Sequence, residues 1–486
     1  MLLKNKSGLR PLLFLVVVLM CLMGSWNSAQ GQYQIDLQFR GVRDTALIFG
    51  FYREEGRYIQ DTAKFDASGH ARLKSDSALA PGLYLFVLPN GHFVDLLIGS
   101  QQKFTFSLDL NDIQHSQKVE GAPLSQAFLD FQQFMWSKQE EARLMRKDDS
   151  IVRAMPDSPE KLQKQAVLTQ KSKDLDEQVR DYHSQLLEKH KDDLLGEFVK
   201  ATIPITVPNL EIEPGVKNVD SVRMMRNYYY HREHYLDNIN LASAGLLRTP
   251  LVVSKVNYFL DKVLLQIPDT LNVYCDKIIE KAYLNPETFS YWSSYLLNKY
   301  LTSEIIGMDA VFVHIAEKYF LSGVVTWATE EYLEKIRERV EHIKPNMLGV
   351  LAPNFKVSTL YAKPFELHKD KAEVTVLVFW EPSCSHCRTT IPKLDSIART
   401  YDTKRLHMIG FMTTGDGIEW QKYVQEHKMD WWINVWDPER KSNFPVTYDI
   451  YSTPVVYVLD REHKIMIKRI GWETLPQVLD ELLKKK

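Results

Sequence analysis

Over residues 33–109 apolar and polar side chains alternate, as in Tyr33-Gln34-Ile35-Asp36-Leu37-Gln38-Phe39 and Lys103-Phe104-Thr105-Phe106-Ser107-Leu108. A period of two puts every second side chain on one buried face, so this stretch predicts strands. Turn signals at Glu55-Gly56, Ser68-Gly69, Pro81-Gly82 and Asn90-Gly91 cut it into hairpin-length pieces and predict a small antiparallel sandwich or barrel. Over residues 124–344 the spacing changes to three and four, with Phe128, Phe131 and Met135, then Val256, Phe259, Leu260 and Val263, which predicts an all-helical block. Within it, residues 138–191 are rich in Lys, Glu, Gln and Asp, and the sparse apolar positions predict a long helix or helical hairpin with a broad solvated face. Loops are expected over 156–159 and 204–215 and around Pro268.

Pro345, Gly349 and Pro353 interrupt the helical pattern. Beyond them strands and helices alternate. The run Val374-Thr375-Val376-Leu377-Val378-Phe379-Trp380 is apolar nearly throughout, as a strand covered on both faces must be. Further strands are expected over 406–411, 432–436, 455–459 and 465–470, and helices over 387–401, 418–427 and 475–485. The pattern predicts a multidomain α+β chain: a small antiparallel β domain over 32–115, an all-α domain over 116–345 and an α/β domain over 346–486.

Length agrees with that division, since 486 residues exceed what one core can hold and 45% hydrophobic content can fill several. Charge adds little. With 60 basic against 62 acidic residues the net charge of −2 gives no electrostatic footprint for nucleic acid or an anionic membrane surface. The beginning of the chain has an export-signal layout over 1–31: Lys4, Lys6 and Arg10, an apolar run over 12–23, then small polar residues, with cleavage expected over 29–31. No later segment approaches about 18 uninterrupted apolar residues, so the mature chain is expected to be soluble and periplasmic. Cys21 lies inside the signal, and Met20 stands where a lipid anchor needs a small residue, so no anchor is expected there. Cys275, Cys384 and Cys387 remain, too few for a disulfide scaffold.

The Cys384-Ser385-His386-Cys387 pair follows a buried strand and precedes the helical run Ile391, Leu394 and Ile397. A helix start leaves backbone N–H groups unpaired, and these with the macrodipole favour a thiolate, so Cys384 is the expected nucleophile. It would attack a disulfide to form a mixed disulfide, which Cys387, one turn on, would resolve. His386 could donate to the thiolate or attract it as imidazolium. Half of a zinc site and a purely structural clip are the competing readings. Zinc needs two further ligands, which His368 and His407 do not supply at any recognised spacing, and so short a ring removes little unfolded-state entropy. His231, Glu233 and His234 share a helical face without a third convincing ligand, and Cys275 is expected to pack as a small apolar residue. No metal is expected, and no cofactor beyond the redox-active disulfide Cys384–Cys387.

With Pro392 in the following helix, Thr453-Pro454 ahead of Val455-Val456-Tyr457-Val458-Leu459-Asp460, and the lead-in Ala352-Pro353-Asn354-Phe355, the stretch Trp380-Glu381-Pro382-Ser383-Cys384-Ser385-His386-Cys387 resembles the TlpA-like branch of the thioredoxin superfamily over residues 351–486. The resemblance implies a thioredoxin-like α/β domain. It further implies a cis Pro454 facing the cysteines, backbone hydrogen bonds from Thr453 to an extended substrate, Pro454 and Trp380 as further substrate-binding residues with Trp380 packed beside the site, and a kink at Pro392. Protein thiols and disulfides are the implied partners, with a membrane thiol-disulfide carrier as electron donor; the oligomeric state is left open. Upstream, Gly307-Met308-Asp309-Ala310-Val311-Phe312-Val313-His314 and residues 285–295 resemble two uncharacterised domains fused to such thioredoxins in Bacteroidetes. Three positions depart from the superfamily: Ser383 stands for a common Trp, Val378 for a buried Asp, and Thr390 for a Glu found in some TlpA-like members. The proton acceptor for Cys387 is thereby unassigned, with Glu381 a candidate by proximity. A peroxiredoxin has Thr where Pro382 stands, which argues against peroxide reduction. The expected function is periplasmic thiol-disulfide exchange as a reductase or isomerase, the alternative being an envelope binding protein that uses the fold as scaffold.

Overall fold

A computed structural model describes residues 32–209 and 217–484. The expected export signal over 1–31, Cys21 within it, and part of the loop expected over 204–215 lie outside the described residues. The chain divides into two compact units between Phe259 and Leu260, inside the helical block.

In the first unit the alternating stretch forms β1 (Tyr33–Arg40), β2 (Ala46–Arg53), β3 (Gly56–Lys64), β4 (His70–Ser75), β5 (Gly82–Val87), β6 (Phe93–Ile98), β7 (Lys103–Asp109) and the short β8 (Lys118–Glu120). They make two four-stranded sheets, ordered β4-β1-β7-β8 and β3-β2-β5-β6. The pairs are antiparallel except β1 with β7, which run parallel from Gln34 opposite Lys103 to Arg40 opposite Asp109. The period-two pattern is realised as read: Tyr33, Ile35, Leu37 and Phe39 of β1 are buried. Phe39 meets Phe106 edge-on at 5.3 Å, and Phe49 stacks on Phe86 at 4.9 Å. Helix α1 (Pro123–Arg153) adds Phe128, Leu129 and Phe131 to this core. The charged stretch is a helical hairpin of α1 and α2 (Pro159–Lys189), and α2 buries only Leu175 and Leu186. Helices α3 (Leu194–Thr202), α4 (Val219–His234) and α5 (Pro250–Tyr258) follow.

The second unit opens with α6 (Pro268–Ala282), α7 (Pro286–Leu301), α8 (Asp309–Ile315) and α9 (Glu330–Ile343). Pro268 occupies a first-turn position, where its missing N–H costs nothing, so the helix begins where a loop was expected. Strands β9 (Lys356–Thr359), β10 (Pro364–Glu366), β11 (Val374–Trp380), β12 (Leu406–Met412), β13 (Ile433–Trp436), β14 (Val455–Leu459) and β15 (Ile465–Lys468) form one sheet ordered β10-β9-β13-β12-β11-β14-β15. Helices α10 (Ser385–Ala398), α11 (Gly417–Glu426) and α12 (Leu475–Lys484) complete the α/β domain. Every residue of β11 is buried, because the strand is central and both faces are covered. Val376, Val378, Trp380, Cys387, Ile391 and Leu394 share one core, while Leu377, Phe379, Phe411, Tyr448 and Tyr457 share the other. Helix α10 is fixed at the buried Asp395, whose carboxylate accepts from the indole N–H groups of Trp431 and Trp432, both at 2.8 Å, and from Arg399 at 2.7 Å.

Candidate active site

Strand β11 ends at Trp380, and four residues later helix α10 starts with Cys384 as its N-cap. The helix therefore begins two residues before the predicted start, because the first cysteine takes the capping role. The Cys387 N–H donates to Cys384 Sγ at 3.3 Å. Cys384 is partly exposed, whereas Cys387 is 0% exposed within the core beneath the sheet.

The two sulfurs are electrostatically unlike. Burial raises the Cys384 thiol, but the backbone N–H of Cys387, the Cys387 thiol, the Thr453 hydroxyl and the backbone N–H of His386 outweigh it, leaving Cys384 below the ordinary cysteine value. Burial pushes Cys387 up to about 12 against the Glu381 N–H and the Thr453 hydroxyl, and its own bond to Cys384 adds to the rise. The arrangement provides one ready nucleophile and one protonated reserve.

The loop before β14 closes the site. The Thr453–Pro454 peptide bond is cis, and the Thr453 carbonyl accepts from the Cys384 thiol at 3.4 Å. Thr453 Oγ1 donates to Glu381 Oε1 at 3.4 Å. Cys384, Cys387, Thr453 and Pro454 thus come together at this end of the sheet. His386 lies on the exposed side of α10, with its backbone N–H rather than its ring directed at the Cys384 sulfur.

Trp380 requires correction as a substrate-contacting residue. It is 0% exposed and packs against Tyr423 at 5.1 Å, because the last position of a doubly covered strand points into the core. Its indole N–H has no partner there. Pro392 sits inside α10, and among the described residues no cluster could hold a metal ion.

Sequence reasoning missed the groups that hold the Thr453 loop. Asp449, at φ 53° and only 3% exposed in its side chain, accepts from Arg339 of α9 at 2.5 and 3.1 Å and from Arg469 at 2.5 Å. Tyr451 lies across His342 of α9, its hydroxyl 2.9 Å from Nδ1, with Arg339 over its ring at 5.4 Å. A second tie joins the buried Lys468 of β15 to Asp309 at 2.5 Å and to Asn346 at 2.7 Å. A separation of 110 residues between Arg339 and Asp449 leaves no local signal; only the left-handed backbone, which Asp tolerates better than most residues, marks the position as special.

Residues 348–468 match the model of the AhpC/TSA family. Among curated relatives, thiol-disulfide oxidoreductase ResA of Bacillus cereus is 25% identical over 165 residues, covering 34% of this chain and 90% of that protein. Among solved structures, a thioredoxin-like protein from Bacteroides caccae aligns with a TM-score of 0.45 at 20% identity, covering 58% of this chain and all of the other. A domain of a possible thiol-disulfide isomerase from Cytophaga hutchinsonii is 35% identical, covering 29% of this chain and 99% of that domain, with a TM-score of 0.27. Over its C-terminal part the chain is thus similar to the AhpC/TSA family and to thiol-disulfide oxidoreductases of the ResA kind.

Proposed function

We propose that this chain exchanges disulfides with protein substrates in the periplasm, with Cys384 as attacking sulfur and Cys387 as resolving sulfur. The observation that carries the reading is the asymmetry of the pair: a partly exposed, acidified Cys384 at a helix start above a buried Cys387 held protonated. A thiolate attacks a disulfide sulfur, and a second thiol one turn away expels the captured substrate in reduced form. Thr453 and Pro454 border the nucleophile, so an extended substrate segment can pair with the Thr453 backbone while its disulfide meets Cys384.

The pair acts as a reductase or isomerase, with electrons delivered by a membrane thiol-disulfide carrier. Export through a cleaved signal over 1–31 supplies the compartment in which such exchange persists. Reduction of insulin by the full chain with dithiothreitol as electron source tests the assignment. Cys384→Ser should reduce turnover to the uncatalysed rate, and Cys387→Ser should leave a mixed disulfide visible on a non-reducing gel. Equal insulin reduction by Cys384→Ser and the parent would rule out the assignment.

A further inference from the structure

A solvent-exposed tyrosine ordinarily samples several rotamers, and freezing one of them against a partner costs free energy. Tyr451 is 68% exposed and yet already fixed. Its ring lies 5.6 Å from that of His342 at an interplanar angle of 11°, the Arg339 guanidinium sits 5.4 Å from its centroid, and its hydroxyl is 2.9 Å from His342 Nδ1. Arg339 and His342 are three residues apart on α9, so both supports come from one face of that helix. Arg339 is itself held, its Nη2 donating to Asp449 Oδ2 at 3.1 Å. A ring pinned in this way gives up little freedom when a partner covers it. With the hydroxyl engaged by His342, what the ring offers that partner is hydrocarbon surface.

The ring also stands close to the chemistry. Tyr451 is two residues ahead of Thr453, a span of about 7 Å at most, and the Thr453 carbonyl accepts from the Cys384 thiol at 3.4 Å. In an extended substrate segment side chains alternate, so the residues two places from the reacting cysteine share its face and point towards this loop. The position is also one-sided. Strand β11 leads to Cys384, with β14 and the Tyr451 loop on one side and β12 on the other. Ile418, 79% exposed at the start of α11 after β12, is the large apolar side chain on that opposite side.

Resting on the reading of Cys384 as the attacking sulfur, we propose that Tyr451, backed by Arg339 and His342 of α9, is a substrate subsite that selects a large apolar or aromatic side chain about two residues from the substrate cysteine. Selectivity at the nucleophile then comes in part from a helix that precedes the sheet domain in the chain. Tyr451 touches the substrate; Arg339 and His342 position it.

Short peptides with a central cysteine joined through a disulfide to thionitrobenzoate test the subsite on the reduced full chain. The Cys384 thiolate attacks the peptide sulfur, the disulfide breaks, and thionitrobenzoate leaves with the electron pair while the peptide stays on Cys384. Stopped-flow absorbance reads that release. A peptide with phenylalanine two residues from its cysteine should react roughly tenfold faster than one with glycine there, the scale of one aromatic contact with its buried area. Tyr451→Ala should erase this ratio, Tyr451→Phe should keep it, and Arg339→Ala should weaken it by releasing the ring. Ile418→Ala, across the nucleophile, should keep it. A ratio near one in the parent, a ratio that survives Tyr451→Ala even with both rates lowered, or an equal loss in Ile418→Ala overturns the subsite. Failure of the reduced parent to release thionitrobenzoate from Ellman's reagent itself overturns the redox reading instead.

Discussion

At Cys384 two backbone N–H groups, a hydroxyl and a thiol converge on one sulfur, and their joint effect outweighs the penalty of partial burial. Alkylation by iodoacetamide should therefore titrate in two steps: Cys384 at a pH below that of an ordinary cysteine, and Cys387 near pH 12, where unfolding competes. Reactivity follows the thiolate fraction, so at neutral pH label should fall on Cys384 alone, as peptide mapping would read. Cys275, buried and pushed up to about 12, should stay unlabelled. His386 offers a finer test. Its backbone N–H belongs to the site whatever its side chain is, whereas its ring acts only through charge and is screened by water. If the imidazolium attracts the thiolate, His386→Ala should move the lower alkylation midpoint upward by about half a unit or more, the size of effect a nearby charge exerts. An unmoved midpoint would leave acidification to the backbone. The cysteine spacing announced this chemistry because a helix start acts through neighbours in sequence. Trp380 misled because a residue beside a motif in the chain can lie beneath it in space.

Among the elements, α9 contributes most beyond its own fold. Arg339 and His342, three residues apart on one face, reach the loop that carries Thr453 and Pro454. Asp449 is a buried carboxylate between two guanidinium groups, an arrangement in which removing one partner leaves charge poorly compensated. Arg339→Ala should cost about 2 kcal/mol, in the range of a hydrogen bond to a charged group, readable in urea unfolding. It should also raise the KM for insulin more than it lowers kcat, because the cysteines stay in place while the surface that pairs with substrate loosens. A parallel fall in both constants with unchanged stability would contradict the positioning role. The long apolar strand β11 and the helices around it were legible because each carries a full period of pattern. Strands β9 and β10 were not. They are four and three residues long and half-exposed, so they show no alternation, and they exist because the edge of the sheet supplies partners. The β1–β7 parallel pairing was hidden for a related reason, since alternation reveals a buried face but not the direction of the neighbour.

At the scale of the whole molecule, the α/β domain does not end where its sheet ends. Helices α6 to α9 and the sheet form one compact unit beginning at Leu260. Two ties cross from those helices to the sheet domain: Asp309 to Lys468, whose side chain is 4% exposed, and Arg339 with His342 to the loop at Asp449–Tyr451. A charge so enclosed is kept ionised by its partner, and the helices supply the carboxylate facing Lys468 and one of the two guanidinium groups on Asp449. The boundary suggested by the loss of helical spacing, near residue 345, would cut both ties. Two fragments distinguish the divisions. Residues 260–486 should reduce insulin at the rate of the full chain, because every group named at the site and every tie to it lies within them. Residues 346–486 retain both cysteines, Thr453 and Pro454, but lose Asp309, Arg339 and His342. Lys468 then meets water, and Asp449 keeps only Arg469 of its two arginines. A loss of about 2 kcal/mol is expected from the severed charged hydrogen bonds. In a domain of this size that corresponds to a melting temperature lower by roughly 5–10 °C. Insulin reduction should slow mainly through KM, as in Arg339→Ala, since the same loop is released in both. Equal melting temperatures and equal KM for the two fragments would show that the helices merely adjoin the sheet, and the positioning role of α9 would fall with that result.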